Sequence, residues 1–158
     1  MQKLMVGLAT VALVVGVSAG TAAAKKTSDP CKILKANEIQ DQFGTAVSTP
    51  SPGLKTAATV ECSWDVAASP SRPDGTVTTR IMYVGGKAAY LGLKKTPDFV
   101  PVAGVKNSIY QAKTGAMSVL SGKNLVTVQG VFITPPPVST VDVQAQLIPL
   151  VKLASKRA

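Results

Sequence analysis

The chain has 158 residues, with 17 Lys and Arg against 8 Asp and Glu, no histidine, and a formal net charge of +9. That length suits one domain around a single core. The missing histidine excludes Ser-His-Asp and Cys-His nucleophiles, the usual zinc ligand sets and the commonest proton shuttle near neutral pH.

The amino terminus carries Lys3, an apolar run from Leu4 to Val17, and small residues ending in Ala22, Ala23 and Ala24. A positive start, a short apolar segment and an Ala-x-Ala exit are what signal peptidase requires. Residues 1–24 are therefore predicted to be a signal peptide, with cleavage after Ala24 and a mature chain beginning at Lys25. Val17-Ser18-Ala19 is a second possible exit, and an uncleaved amino-terminal anchor is the competing reading. The run is shorter than the ~20 residues of a bilayer-spanning helix, and no later apolar stretch exceeds it. No transmembrane span is expected after cleavage. Cys31 follows Ser28-Asp29-Pro30 rather than small apolar residues, which argues against a lipid-anchored start. The expected location is extracellular or cell-wall associated.

Residues 25–29 read as a polar linker, and 30–158 as a single α+β domain. Asp29-Pro30 supplies a capping carboxylate before a residue whose fixed φ suits a helix start. Ile33, Leu34, Ile39 and Phe43 then form one apolar stripe up to Gly44. The first helix is predicted over 30–43, either continuous or as a turn plus a helix broken near Lys35. Thr45 to Val47 could make a short strand, and Thr49 to Lys55 reads as a Pro/Ser/Gly loop.

Thr59 to Val66 alternates strictly, which predicts a strand burying Val60, Cys62, Trp64 and Val66 on one face. Ala67 to Gly75, with Pro70 and Pro73, turns the chain into a β-branched strand over Val77 to Val84. Gly85-Gly86 breaks it, and Lys87 to Lys95 carries a weak helical pattern. Phe99 to Val105 reads as a loop with a buried edge. Three strands follow, Ser108–Lys113, Ala116–Leu120 and Leu125–Phe132, separated by hairpin-sized gaps. Pro135-Pro136-Pro137 ends the sheet. Ser139 or Thr140 is expected to cap a last helix burying Val143, Leu147, Leu150, Val151 and Ala154, with a kink at Pro149. The sum is a meandering antiparallel sheet of about four to six strands, with the amino- and carboxy-terminal helices on one face.

Cys31 and Cys62 are the only cysteines. In an oxidising compartment two cysteines pair without remainder, and a bridge would pin the first helix onto the sheet. Closing such a loop of about 30 residues stabilises by roughly 3 to 4 kcal/mol. The alternative is two buried free thiols.

Little in the rest announces chemistry. Lys113-Thr114-Gly115 matches one element of the penicillin-recognising enzymes, without the Ser-x-x-Lys and Ser-Asp-Asn that accompany it, and reads as a turn. Glu38 and Asp41, one helical turn apart, read as a solvated pair. Gly86-Lys87 and Gly122-Lys123 lack phosphate-loop spacing, so no nucleotide is expected, and no metal or cofactor. Trp64 reads as a core plug, while Tyr83 and Tyr110, near strand ends, are the residues expected to face a ligand. The positive excess favours polyanions such as a cell-wall polymer or lipid headgroups. A solvated basic surface is the simpler reading, because no cationic run exceeds two residues. Nucleic acid is not an expected partner of an exported chain.

Asp29-Pro30-Cys31-Lys32-Ile33-Leu34, Asn37-Glu38-Ile39, Cys62-Ser63-Trp64, Gly104 to Ser108 and the Gly122 to Val126 hairpin follow one another in order. In this the chain resembles the actinobacterial exported domain family catalogued as domain of unknown function 3558, over about Asp29 to Ala154. Many members of that family look like lipoproteins, from which this chain departs, and Lys35 stands where a capping Thr would suit it. The resemblance implies a cell-envelope α+β domain with a Cys31–Cys62 bridge and no assigned activity. The leading functional expectation is a non-enzymatic domain that binds a ligand, a wall polymer or an envelope protein. The alternatives are a secreted peptidase inhibitor using the Ala67–Gly75 loop and a hydrolase using Ser and Lys or carboxylates.

Overall fold

A computed structural model describes residues 29–134 and 141–158 of the chain. The predicted signal peptide, its cleavage residues Ala22, Ala24 and Lys25, and the proposed caps Ser139 and Thr140 lie outside the described residues. Asp29 Oδ1 accepts a hydrogen bond from Cys31 N at 3.0 Å and caps a single 3-10 turn, Pro30–Lys32. The chain then breaks at Lys35, and helix α1 runs over Ala36–Phe43, so the two-part version of the first helix is the one formed.

Strands β1 (Ser51–Lys55), β2 (Thr59–Val66) and β3 (Gly75–Met82) follow, then helix α2 (Gly86–Leu93). Strands β4 (Val100–Pro101), β5 (Ser108–Gln111), β6 (Ala116–Ser121) and β7 (Asn124–Phe132) complete the sheet, and helix α3 spans Gln144–Arg157. The seven strands form one antiparallel sheet in the order β1-β2-β3-β7-β6-β5-β4. The architecture is α+β, as expected, with more strands than the four to six anticipated. The two additional strands are the edges. Ser51–Lys55 is exposed at every residue and so carries no alternating pattern, and its Pro52 and Gly53 imitate a loop. Backbone pairing with β2 alone makes it a strand. Val100–Pro101 is only two residues long. Both edge strands contain a proline, which removes an N–H that another chain would otherwise pair with. Val47 makes an isolated bridge to Val66 rather than a strand.

Opposed residues in an antiparallel sheet share a face. The inner row Cys62–Thr79–Val128–Met117–Tyr110 crosses five strands. Around it the core gathers Ile33 and Leu34 from the first turn, Ile39 and Phe43 from α1, and Leu147, Leu150, Val151 and Ala154 from α3. The inner face of the last helix is therefore the one anticipated. The helix starts later than Ser139 or Thr140, at Gln144, whose N–H donates to Asp142 Oδ1 at 3.0 Å. α3 runs continuously through Pro149. Trp64 is buried with Cys62, and Cys31 and Cys62 form the disulfide.

Helix α2 takes the opposite face. Tyr90, Ala89 and Leu93 pack on Met82, Leu125, Leu120 and Ile109 in a second apolar cluster. This close seating depends on Gly86. A Cβ there would stand 2.5 Å from Leu125 N and 2.7 Å from Lys123 O, inside contact distance. Within the described residues, no helix is long and apolar enough to cross a membrane.

Candidate functional site

Beside the apolar patch under α2, the outer face of the sheet turns polar in regular rows. One row runs Glu61–Arg80–Thr127–Ser118–Ile109, and the next runs Ser63–Thr78–Gln129–Ala116. Hydroxyl groups pair across strands, Ser118 with Thr127 at 2.8 Å and Ser63 with Thr78 at 3.0 Å. Each such pair consumes one O–H, so one donor and several lone pairs per pair remain for another partner. Arg80 Nε donates to Glu61 Oε2 at 2.7 Å, tying the guanidinium to the neighbouring strand. Gln129 Nε2 donates to Thr114 O at 2.9 Å.

Because α2 covers only one end of this face, an open cleft of about 460 Å³ is left between the helix and the strands. One wall is apolar, from Met82, Leu93, Phe99 and Leu125; the floor is polar, from Arg80, Ser118, Thr127 and Gln129. Its volume falls in the range of small-molecule sites, and its mixture of apolar wall and few polar groups is their usual composition. Arg80 and its partner Glu61 form an ion pair at its margin, and Ser118 shares its hydroxyl hydrogen bond with Thr127. The arrangement can hold and orient a molecule. The described residues do not bring together three or more His, Cys, Asp or Glu that could hold a metal ion.

The two tyrosines expected to face a ligand end up far apart in role. Tyr110 is buried, with its hydroxyl donating to Asp142 Oδ1 at 2.7 Å, so it is a core residue rather than a pocket wall. Burial first, then the adjacent carboxylate, pushes its phenol up to about 12. Its neighbours in β5 face alternately inward and outward, and the inward phase is invisible without the register. Tyr83 is half-buried and lines a separate cavity of about 540 Å³ with Pro30, Pro52, Lys55 and Val60. Burial and the nearby Asp29 carboxylate raise its phenol above the ordinary value.

Glu38 and Asp41 are not the solvated pair expected. Asp41 is exposed, but Glu38 accepts two hydrogen bonds from Arg157, at 2.8 and 2.7 Å, and a third from Lys35 N at 2.9 Å. The Arg157 hydrogen bonds hold its carboxyl below the usual carboxylate range, against the opposing effect of burial.

In the Ala67–Gly75 loop, Ser69 and Arg72 exchange backbone hydrogen bonds at 2.8 and 3.2 Å. The Arg72 guanidinium lies 4.9 and 4.7 Å from the ring centres of Phe43 and Phe132 and donates to Phe43 O. The loop's one cation is thus turned inward, closing the end of the core. Lys113-Thr114-Gly115 is the tight turn between β5 and β6, as read.

The cleft itself escaped sequence reasoning. Arg80 and Met82 share a phase in β3, as do Thr127 and Gln129 in β7, which is a legible signal that each strand has a polar outer side. Which strands lie side by side was not legible, since β3, ending at Met82, pairs with β7, beginning only at Asn124, across a long stretch of other structure. Protein-family models, curated proteins and solved structures provide no match to this chain.

Proposed function

We propose that the chain is an exported, non-enzymatic domain of the cell envelope that binds a ligand in the cleft beneath α2. The observation that carries this reading is the cleft's composition: an apolar wall opposite a floor of hydroxyl, amide and guanidinium groups. Export is supported by the Lys3, Leu4–Val17, Ala22–Ala24 pattern and by the Cys31–Cys62 disulfide, which persists most readily in oxidising compartments. The resemblance to the family of unknown function 3558 supports an envelope location as well. The absence of histidine weighs against hydrolysis.

Two measurements test it. Intact-mass analysis of cell fractions should find a species starting at Lys25, with both sulfurs oxidised, outside the cytoplasm; full-length reduced protein in the cytosol would overturn export. Affinity capture from envelope extracts should recover a ligand with the native protein and lose it with Thr127→Leu, which replaces a floor hydroxyl by a methyl-rich plug. Identical recovery by both proteins removes the cleft from consideration.

A further inference from the structure

The charges are not spread evenly over the fold. Between Asp74 and Asp142 the only acidic residue is Asp98, which is paired with Lys113 at 3.2 Å. The same stretch contains Arg80, Lys87, Lys94, Lys95, Lys106 and Lys123, and among the described residues Arg80 alone of these is ion-paired. This stretch builds α2, β3 to β7 and therefore the whole cleft. Lys94 and Lys95 stand exposed between the lining residues Leu93 and Thr96. Lys87 is the second residue of α2, whose first, Gly86, sits against the backbone of Lys123. The apolar wall is consequently framed by cations at both ends of the helix that covers it. Leu91, 48% exposed, adds an apolar side chain to the outward surface of that helix.

We infer that the cleft binds a single-chain anionic amphiphile, a monoacyl or monoalkyl lipid whose chain lies along Met82, Leu93, Phe99 and Leu125 and whose anionic head meets the Lys94–Lys95 end. This deepens the proposed function and rests on the cleft being the binding site. Each half of the ligand answers a feature that the other cannot use. A wall polymer without a chain leaves the apolar wall wet, and an uncharged hydrocarbon gains nothing from the lysines. The volume of about 460 Å³ suits one chain, not two, and the open mouth leaves the head in water. There the lysines act at long range, and their contribution weakens with salt.

The test is titration of the isotope-labelled protein, followed by amide chemical shifts, with octyl, decyl and dodecyl phosphate as monomers. Expected are shifts at Leu93, Thr96, Ser118 and Thr127, with affinity rising about fourfold for each methylene added. Glycerol phosphate, the head without the chain, and dodecylphosphocholine, the chain without net charge, should bind at least about tenfold more weakly. At Gly92 no heavy atom lies within 4 Å of an added Cβ, so Gly92→Trp should fold, as its circular dichroism and melting temperature will report, and should abolish binding. Lys94→Glu with Lys95→Glu should weaken dodecyl phosphate about tenfold and flatten its salt dependence.

Equal affinity for all chain lengths, or binding that survives Gly92→Trp, overturns the inference. So does attachment to anionic vesicles with no response to monomers, which would assign the lysines to a membrane surface instead. An uncharged saccharide that shifts the same amides, with alkyl phosphates inert, overturns the amphiphile and leaves the cleft as the binding site. Cleft amides that respond to no fraction of an envelope extract overturn both.

Discussion

Arg157 and Glu38, separated by 119 residues, meet in a two-pronged ion pair, and the same guanidinium donates to Ile33 O at 2.8 Å. One side chain thereby ties the end of α3 to the first turn and to α1. Their side chains are 31% and 17% exposed, so water screens the contact only partly. Glu38→Gln should cost about 2 kcal/mol, the scale of hydrogen bonds to a charged group. The folded carboxyl titrates below the ordinary 4.5, so its stabilisation is complete above that pH and is lost as pH falls through the depressed value. Urea midpoints at neutral and acid pH should therefore differ less for Glu38→Gln than for the native protein. Equal acid sensitivity in both would assign the acid response to other carboxylates.

Tyr110 predicts an alkaline counterpart. Its phenol is raised from 10.0 to about 12 in the folded protein, so the folded state holds the proton more tightly. Stability from this group is intact below pH about 10 and declines as pH rises towards 12. Tyr110→Phe should cost about 1 kcal/mol at neutral pH and remove most of that decline. Thermal melts between pH 8 and 11.5 would measure it, and an unchanged slope would count against the Asp142 contact.

Thr79 offers a change in the opposite direction. It is fully buried between Cys62 and Val128 on the inner row, and its hydroxyl has no hydrogen-bond partner among the described residues. Thr79→Val keeps the shape and removes the unpaired polar atom. The expected gain is about 1 kcal/mol, read from the urea midpoint. A loss of stability would mean the hydroxyl has a partner in solution, such as a buried water.

Removing the disulfide by replacing Cys31 and Cys62 with alanine should lower stability by about 3 kcal/mol, since the bridge closes a loop with a sequence separation of 31. Cys62 is fully buried, so reductant should act on the folded protein only slowly. A melting temperature independent of reductant after prolonged incubation under denaturing conditions and refolding would contradict this.

Gly115 and Gly122 separate backbone strain from crowding. Both have positive φ, +60° and +61°, but a Cβ at Gly115 would lie 2.1 Å from Gly130 O, whereas at Gly122 nothing stands within 4 Å. Gly122→Ala should cost about 1 kcal/mol, the left-handed penalty alone. Gly115→Ala should cost well over about 2 kcal/mol, because the β5–β6 turn must also move off β7. Equal losses would show that the turn relaxes freely.

How much of this was readable beforehand depended on where the information resides. The strand 59–66, the buried faces of the first and last helices, the core position of Trp64 and the α+β class all follow from local periodicity, because a residue's phase within its own element decides whether it meets the core. Periodicity is silent at an edge, where both faces are wet, and so Ser51–Lys55 looked like a loop until its backbone partner was known. It is equally silent about Arg72, whose place between Phe43 and Phe132 depends on a helix and a strand distant in sequence.

The amino-acid order by itself determined the absence of imidazole chemistry, the leader-like start, the positive excess and the pattern of inward-facing side chains, since each is a property of composition or of near neighbours. Tertiary structure alone decided that Tyr110 is interior, that Glu38 finds Arg157, and that α2 crosses to the far face and leaves a cleft there. Those outcomes turn on strand order and register, which bring together residues from β3, β6, β7 and α2 that no local rule connects.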